Sequence, residues 1–288
     1  MKPIPRPLWL RSKLMQTLTL KRREIDLREY CDRRAHEDDC TTLLKDDFKL
    51  VDEETGKVVA LYCKPTDDEQ AFNDIFDACL SVKYVSDFRT NGLKTTSRIF
   101  GYNPRNALRK DFCSAASLAH DAPQLHQRVL RGGAMAAKYY AYHNPELYDE
   151  HLQTTKEKIV TDYQLPEVPF TSGIINDNNP LCYHFDSGNF SKVWSAMIVL
   201  KHKISGGYLS MPEYDVLVEV ANHSIFYFDG QAILHGVTPI TKLASDSRRF
   251  SLVYYSLKAM WNCQPLRDEI ARARMRREEV EQKRLLKR

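Results

Sequence analysis

Leu181-Cys182-Tyr183-His184-Phe185-Asp186 opens a series of short apolar runs separated by turn residues. Trp194-Ser195-Ala196-Met197-Ile198-Val199-Leu200, Tyr208-Leu209-Ser210 and Val216-Leu217-Val218-Glu219-Val220 follow it. Ser224-Ile225-Phe226-Tyr227-Phe228 and Phe250-Ser251-Leu252-Val253-Tyr254-Tyr255 complete the series. Short strands at this spacing indicate a sandwich or barrel. Upstream the periodicity changes. Asp67 to Val85 has helical spacing, with Phe72, Ile75, Phe76, Cys79 and Leu80 on one face, and helical patterns return at 123–142 and 145–160. Gly132-Gly133 reads as an interruption of the first of these. Phe48-Lys49-Leu50-Val51 and Val58-Val59-Ala60-Leu61-Tyr62 flank a turn at 52–56 and predict a hairpin. The charged residues from Lys2 to Cys40 read as largely helical. The architecture expected is a single α+β domain over 1–288. In it, 1–165 is a helical support region with a hairpin (47–62) and a basic loop (87–110), 166–258 is a β core, and 259–288 is a basic helical tail.

Composition bounds the function less than the strands do. The net charge of +4 is unevenly spread. Arg89, Lys94, Arg98, Arg105, Arg109 and Lys110 form one basic cluster, interleaved with Phe100 and Tyr102 as on a nucleic-acid surface. The tail from Arg267 alternates arginines with glutamates, as on a solvated helix. No apolar run approaches the ~20 residues of a membrane span. The start, Met1-Lys2-Pro3-Ile4-Pro5-Arg6-Pro7, has no apolar signal core. Seven scattered cysteines without zinc-knuckle spacing predict free thiols in a reducing intracellular compartment, cytoplasm or nucleus.

Within the strand series, His184 and Asp186 are two apart and so face the same side of their strand. His235 ends the strand-like Ala232-Ile233-Leu234 and precedes Gly236, which permits close backbone approach. Two imidazoles and one carboxylate with open positions suit non-haem iron(II), with zinc as the metal alternative. His36-Glu37-Asp38 has the same spacing but lies in a charged run without a strand, so it reads as a solvated face. Arg249 opens the strand after His235, and Ser251 shares its face. An arginine fork and a hydroxyl together suit a carboxylate ligand, which favours iron over zinc. Phe226-Tyr227-Phe228 reads as barrel core that could also shield the metal.

His184-x-Asp186, Gly206-Gly207-x-Leu209-x-x-Pro212, His235-Gly236 and Arg249-x-Ser251 resemble the iron(II)/2-oxoglutarate dioxygenases built on a double-stranded β-helix (jelly-roll, cupin-like) core. Arg249-Phe250-Ser251-Leu252-Val253-Tyr254-Tyr255 looks most like the TET and J-binding-protein branch, which oxidises the methyl group of 5-methylpyrimidines in nucleic acid. The resemblance covers roughly Thr171 to Leu257. It implies Fe(II) held by His184, Asp186 and His235, with O2 as co-reactant. It implies 2-oxoglutarate held by Arg249 and Ser251, and a target base contacted by Asn189 and stacked on Tyr255. DNA is then the expected partner, with the basic cluster on its phosphates, and 5-methylcytosine or thymine the expected base. Cytosine-oxidising members often carry His two residues after the stacking Tyr; Leu257 stands there, which brings thymine forward. A small molecule or protein side chain as substrate, and a barrel that binds nucleic acid without chemistry, are the competing readings.

Overall fold

The structure is a computed structural model that describes residues 15–88, 92–105, 112–165 and 168–286. In chain order its strands are β1 (Gln16–Leu20), β2 (Thr42–Leu44), β3 (Phe48–Asp52), β4 (Val58–Cys63), β5 (Val85–Phe88), β6 (Lys94–Asn103), β7 (Ser114–Ala115), β8 (Ser172–Asp177), β9 (Leu181–His184), β10 (Ser195–His202), β11 (Ile204–Gly206), β12 (Leu209–Met211), β13 (Val216–Val218), β14 (Ser224–Phe228), β15 (His235–Val237), β16 (Ile240–Lys242) and β17 (Arg248–Tyr255). The helices are α1 (Leu27–Tyr30), α2 (Glu69–Ser81), α3 (Ser117–Asp121), α4 (Pro123–His143), α5 (Pro145–Lys158) and α6 (Leu266–Leu285).

One large sheet has the order β1-β3-β4-β14-β10-β17-β8-β6-β5, with β7 added to β6; a second has the order β2-β13-β12-β15-β9. From β8 onward the chain passes back and forth between the two, apart from β11 and β16, which pair with each other in a two-stranded sheet. β8, β10, β14 and β17 lie in the large sheet, while β9, β12, β13 and β15 lie in the small one. This alternation explains the sequence pattern of β10. Met197 and Val199 pack into the space between the sheets with Leu209, Met211, Val218, Phe226 and Val237. Ala196, Ile198 and Leu200 point the other way, into a core shared with α2 and α4. A strand covered on both faces reads as a continuous apolar run rather than an alternation. In β17 the same division separates Phe250, Leu252 and Tyr254, on the helix side, from Arg249, Ser251, Val253 and Tyr255.

Gly132 and Gly133 do not interrupt α4. A Cβ on Gly132 would collide with the Tyr254 hydroxyl and lie 3.0 Å from Ile75 Cδ1, and one on Gly133 would lie 3.1 Å from the Tyr254 ring. The two glycines let the helix settle onto β17, where the Tyr254 hydroxyl donates to the Val129 carbonyl at 2.8 Å. In α2, Phe72, Ile75 and Cys79 are buried as expected, whereas Leu80 is exposed.

Three further expectations about the fold require correction. Residues 15–40 are not largely helical, and 1–165 is not only a helical support. Gln16-Thr17-Leu18-Thr19-Leu20 alternates with period two and pairs in parallel with β3, so the first half contributes strands to the large sheet. The charged run after it is neutralised partly by distant carboxylates, Arg22 with Glu213 and Arg23 with Asp215, and partly by local ones, Arg28 with Asp26 and Arg33 with Asp39. Second, Phe88 to Phe112 is not simply a loop, because β6 pairs with both β5 and β8. Third, Cys113 and Cys263 form a disulfide, leaving Cys31, Cys40, Cys63, Cys79 and Cys182 as free thiols. Those two cysteines are separated by 150 residues, which sequence spacing could not connect. No helix of the described residues is long and apolar enough to cross a membrane.

The same region corrects the basic surface. Arg98 is almost buried and pairs with Asp121. Arg105 forms a two-pronged pair with Glu269 at the foot of α6. Neither guanidinium is presented to a polyanion, because each already has a carboxylate. Lys94 is exposed on β6; Arg89, Arg109 and Lys110 lie outside the described residues.

Glu269 is fully buried and also accepts from the amides of Cys113 and Gln264. Burial pushes its carboxyl up, but the hydrogen bonds from Arg105 and these amides outweigh burial and hold it below the ordinary 4.5. Arg105→Ala is expected to destabilise the protein by about 3 kcal/mol at neutral pH, since it strands a buried charge. The loss should shrink as pH falls below 4.5 through the lower folded-state value, because protonation removes the stabilisation in the parent protein too. Urea denaturation of both proteins across that range checks this.

Candidate active site

β9 and β15 are antiparallel neighbours, and their register sets His184 directly opposite His235. The two rings lie 4.4 Å apart, centre to centre. Each imidazole has its Nδ1 within hydrogen-bond distance of a main-chain carbonyl two residues back: Cys182 O at 2.8 Å for His184, and Ile233 O at 2.9 Å for His235. A carbonyl only accepts, so each Nδ1 carries the proton. The Nε2 atoms are then the basic nitrogens. They turn toward Asp186, whose Oδ1 is 3.7 Å from His184 Nε2 and 3.9 Å from His235 Nε2. This is the usual arrangement by which a protein orients metal-binding imidazoles.

Asp186 is fixed from β14's far end. Its amide donates to Gly230 O at 2.8 Å. A Cβ on Gly230 would collide with the Asp186 carboxylate, at 2.9 Å from its Cγ. The absence of a side chain at 230 is therefore what lets the carboxylate meet the two imidazoles. Gly236 has a related role: a Cβ there would come within 3.0 Å of the Tyr183 ring. Among the described residues, His184, Asp186 and His235 are the one group of three or more potential ligands whose atoms converge, all within 4.8 Å of one another. His36 and its neighbours form an exposed single turn elsewhere. Two nitrogens and one oxygen on one side, with no further converging ligand atom among the described residues, fit iron(II).

The triad opens into a cavity of about 390 Å³. Its floor is the inner face of the large sheet, with Ile174, Asn176, Met197, Ser251 and Val253. Phe228 lines it as well, with its ring edge-on to His235 at 4.6 Å. Phe226 and Tyr227 are core, so the aromatic run divides between the two roles expected of it. Asn189, Tyr255 and Leu257 line the same cavity, and Asn189 and Leu257 bridge through their backbones. The Asn189 amide group donates to Ser195 Oγ at 3.3 Å. Burial, then the Asp186 charge, pushes the Tyr255 phenol well above its ordinary range, so it stays protonated.

Arg249 is fully buried. Its Nη2 donates to Gly207 O at 3.3 Å, while Nε and Nη1 have no hydrogen-bond partner among the described residues. Burial lowers its pKa to about 10. An unpaired buried guanidinium costs several kcal/mol, which an anionic ligand would offset. Gly207 makes its space, since a Cβ there would lie 2.9 Å from Arg249 Nε. Ser251, two residues along on the same face, lines the cavity. The arrangement fits a dicarboxylate cosubstrate. Sequence reasoning missed Gly230, Asn176 and Asp32, which the N-terminal segment brings to the cavity wall by pairing with Tyr183. Their residue types carry no local signal of this role.

The sequence profile of the Tet_JBP family, described as the oxygenase domain of the 2OGFeDO superfamily, matches residues 99–258. Among solved structures, the chain is similar to NgTET1 in complex with 5mC DNA, with a TM-score of 0.55 and 15% identity, covering 81% of this chain and 90% of that one. It is also similar to an oxidoreductase of the 2OG-Fe(II) oxygenase family from Burkholderia pseudomallei, with a TM-score of 0.46 and 14% identity, covering 69% and 88%. A search of curated protein sequences returns no match.

Gly230→Ala displaces the Asp186 carboxylate without changing any ligand. It is expected to weaken iron(II) binding by at least about tenfold, as losses of orienting groups around metal sites do. Anaerobic metal titration with circular dichroism as a folding control reads this; unchanged affinity would detach Gly230 from the site.

Proposed function

The chain belongs to the Tet/JBP oxygenase family of the 2-oxoglutarate and iron(II)-dependent dioxygenases, and on that premise we propose that it hydroxylates the 5-methyl group of a pyrimidine base, 5-methylcytosine or thymine, in DNA. The observation that carries this reading is one cavity holding both the His184, Asp186, His235 cluster and the residues suited to a flat base, Tyr255, Asn189 and Leu257. The alternation of strands between two sheets supports reading the core as a double-stranded β-helix, and the whole chain as one oxygenase unit.

In this reading His184, Asp186 and His235 hold iron(II). Bound iron with 2-oxoglutarate and O2 supplies the oxidation, releasing succinate and CO2. Everything else is positioning and exclusion of water. Arg249 grips the distal carboxylate of 2-oxoglutarate with its fork and Ser251 adds a hydroxyl. Phe228 and the apolar floor of Met197 and Val253 keep water from the triad. Tyr255, held neutral, offers a ring face for stacking, and Asn189 offers an amide to the base edge. A base within a duplex cannot reach such a cavity, so it must be flipped out or presented on a single strand. Leu257 can accept no polar contact from cytosine's edge, which favours thymine over 5-methylcytosine.

A second reading, the same chemistry on a small molecule or a protein side chain, is favoured by the commitment of Arg98 and Arg105 to internal carboxylates. Nucleoside mass spectrometry separates the two. Thymine-containing and 5-methylcytosine-containing DNA are incubated with the enzyme, iron(II), 2-oxoglutarate and ascorbate. A nucleoside gaining one oxygen, with stoichiometric succinate, is expected, and Arg249→Met should abolish both. Succinate formation with no altered nucleoside on either DNA would overturn the DNA substrate.

A further inference from the structure

We propose that Lys201 is a second cation for the distal carboxylate of 2-oxoglutarate, acting beside Arg249 and making the pocket selective for a dicarboxylate cosubstrate. This rests on the reading that Arg249 holds that carboxylate. The β10–β17 register pairs Lys201 directly with Arg249, as it pairs Val199 with Ser251. Cross-strand partners project from the same face and lie side by side. Lys201 therefore stands next to Arg249 on the inner face.

The two cations end on consecutive carbonyls. Lys201 Nζ donates to Gly206 O and Arg249 Nη2 to Gly207 O, each at 3.3 Å. Both glycines are left-handed, with φ of 71° and 66°, so the turn they form is one that other residues rarely adopt. A Cβ on Gly206 would collide with Pro239 O, and one on Gly207 with Arg249. Gly207 thus leaves room for the Arg249 head, Gly206 lets the turn pass Pro239, and the turn offers each cation a single long contact.

Two like charges directly across a pair of strands repel. Burial, reinforced by the Arg249 charge, lowers the Lys201 pKa to about 8. Glu219, past the end of β13, acts in the other direction, but its carboxylate is already paired with Lys45 at 3.0 Å. The Tyr208 ring lies 5.9 Å from Nζ, and its phenol is raised, so it stays neutral. Glu37 brings an exposed carboxylate to the Gly206 turn, 3.8 Å from where a Cβ there would stand, but among the described residues no ion pair joins it or Glu219 to Lys201 or Arg249. A carboxylate placed between the two cations would balance them, and each cation can give it a charge-assisted hydrogen bond.

The test is calorimetric titration of the iron-loaded protein without oxygen, so that binding and not turnover is read. The ligands are 2-oxoglutarate and 2-oxobutanoate, which keeps the oxo acid head but lacks the distal carboxylate. Lys201→Met should weaken 2-oxoglutarate about tenfold, as loss of a hydrogen bond to a charged group does, and leave 2-oxobutanoate unchanged. Lys201→Arg should restore most of the affinity. Raising the pH from 7 to 9 should weaken 2-oxoglutarate binding in the parent protein, because Lys201 loses its proton, and not in Lys201→Arg. Equal affinities for 2-oxoglutarate in Lys201→Met and the parent, or an equal loss for both ligands, would overturn the role of Lys201. If Arg249→Met shows the selective loss and Lys201→Met does not, Lys201 alone falls. If neither does, the carboxylate site itself is misassigned.

Discussion

The antiparallel contact of β15 with β9 brings His235 against His184, and the rest of the site is arranged around that meeting. The two histidines come from strands separated by most of the core, yet their Cα atoms are register partners. A slip of one residue in either strand would turn its imidazole to the opposite face. The register is held by more than main-chain bonds. Val237 and Leu181 pack between the sheets, Gly236 lets the Tyr183 ring approach, and Phe228 seals the His235 ring. Asp186 then needs only to follow His184 by two residues and to find the open backbone at Gly230.

The large sheet serves the site by being asymmetric. Its outer face is an ordinary apolar surface packed on α2 and α4, brought close by Gly132 and Gly133. That packing fixes β17 from its outer side, while the inner face of the same strand carries Arg249 in the dry interior. A guanidinium on a loose loop would swing to water rather than stay unpaired. Hydrophobic cohesion on one side of a strand therefore sustains an electrostatically unfavourable arrangement on the other, and the stored imbalance is available for binding an anion.

Charge, by contrast, misleads when it is counted and not located. The basic stretch around β6 has the composition of a nucleic-acid surface, but Arg98 and Arg105 each close on a carboxylate from a distant segment. Arg105 meets Glu269 across 164 residues. Together with the Cys113–Cys263 disulfide, this pair ties the start of α6 to the segment after β6. Residues that look like a ligand-binding face in one dimension are part of the protein's internal joinery in three.

Much of the fold and the three-residue cluster of the candidate metal site were legible in the sequence, for a physical reason. Strand periodicity, helical spacing and the two-residue step from His184 to Asp186, or from Arg249 to Ser251, are local properties, set by backbone geometry within a few residues. The family motifs are spaced strands of this kind. Only the tertiary structure decided which strand lies beside which, and so which side chains share a cavity. It decided that Gly230 makes room for Asp186, that Lys201 stands next to Arg249, that Gln16–Leu20 extends the large sheet, and that two of the basic residues are spent on internal partners. Those outcomes depend on the path of the chain over many tens of residues. A glycine or an arginine has the same identity wherever that path takes it, and so carries no mark of the neighbour it will meet.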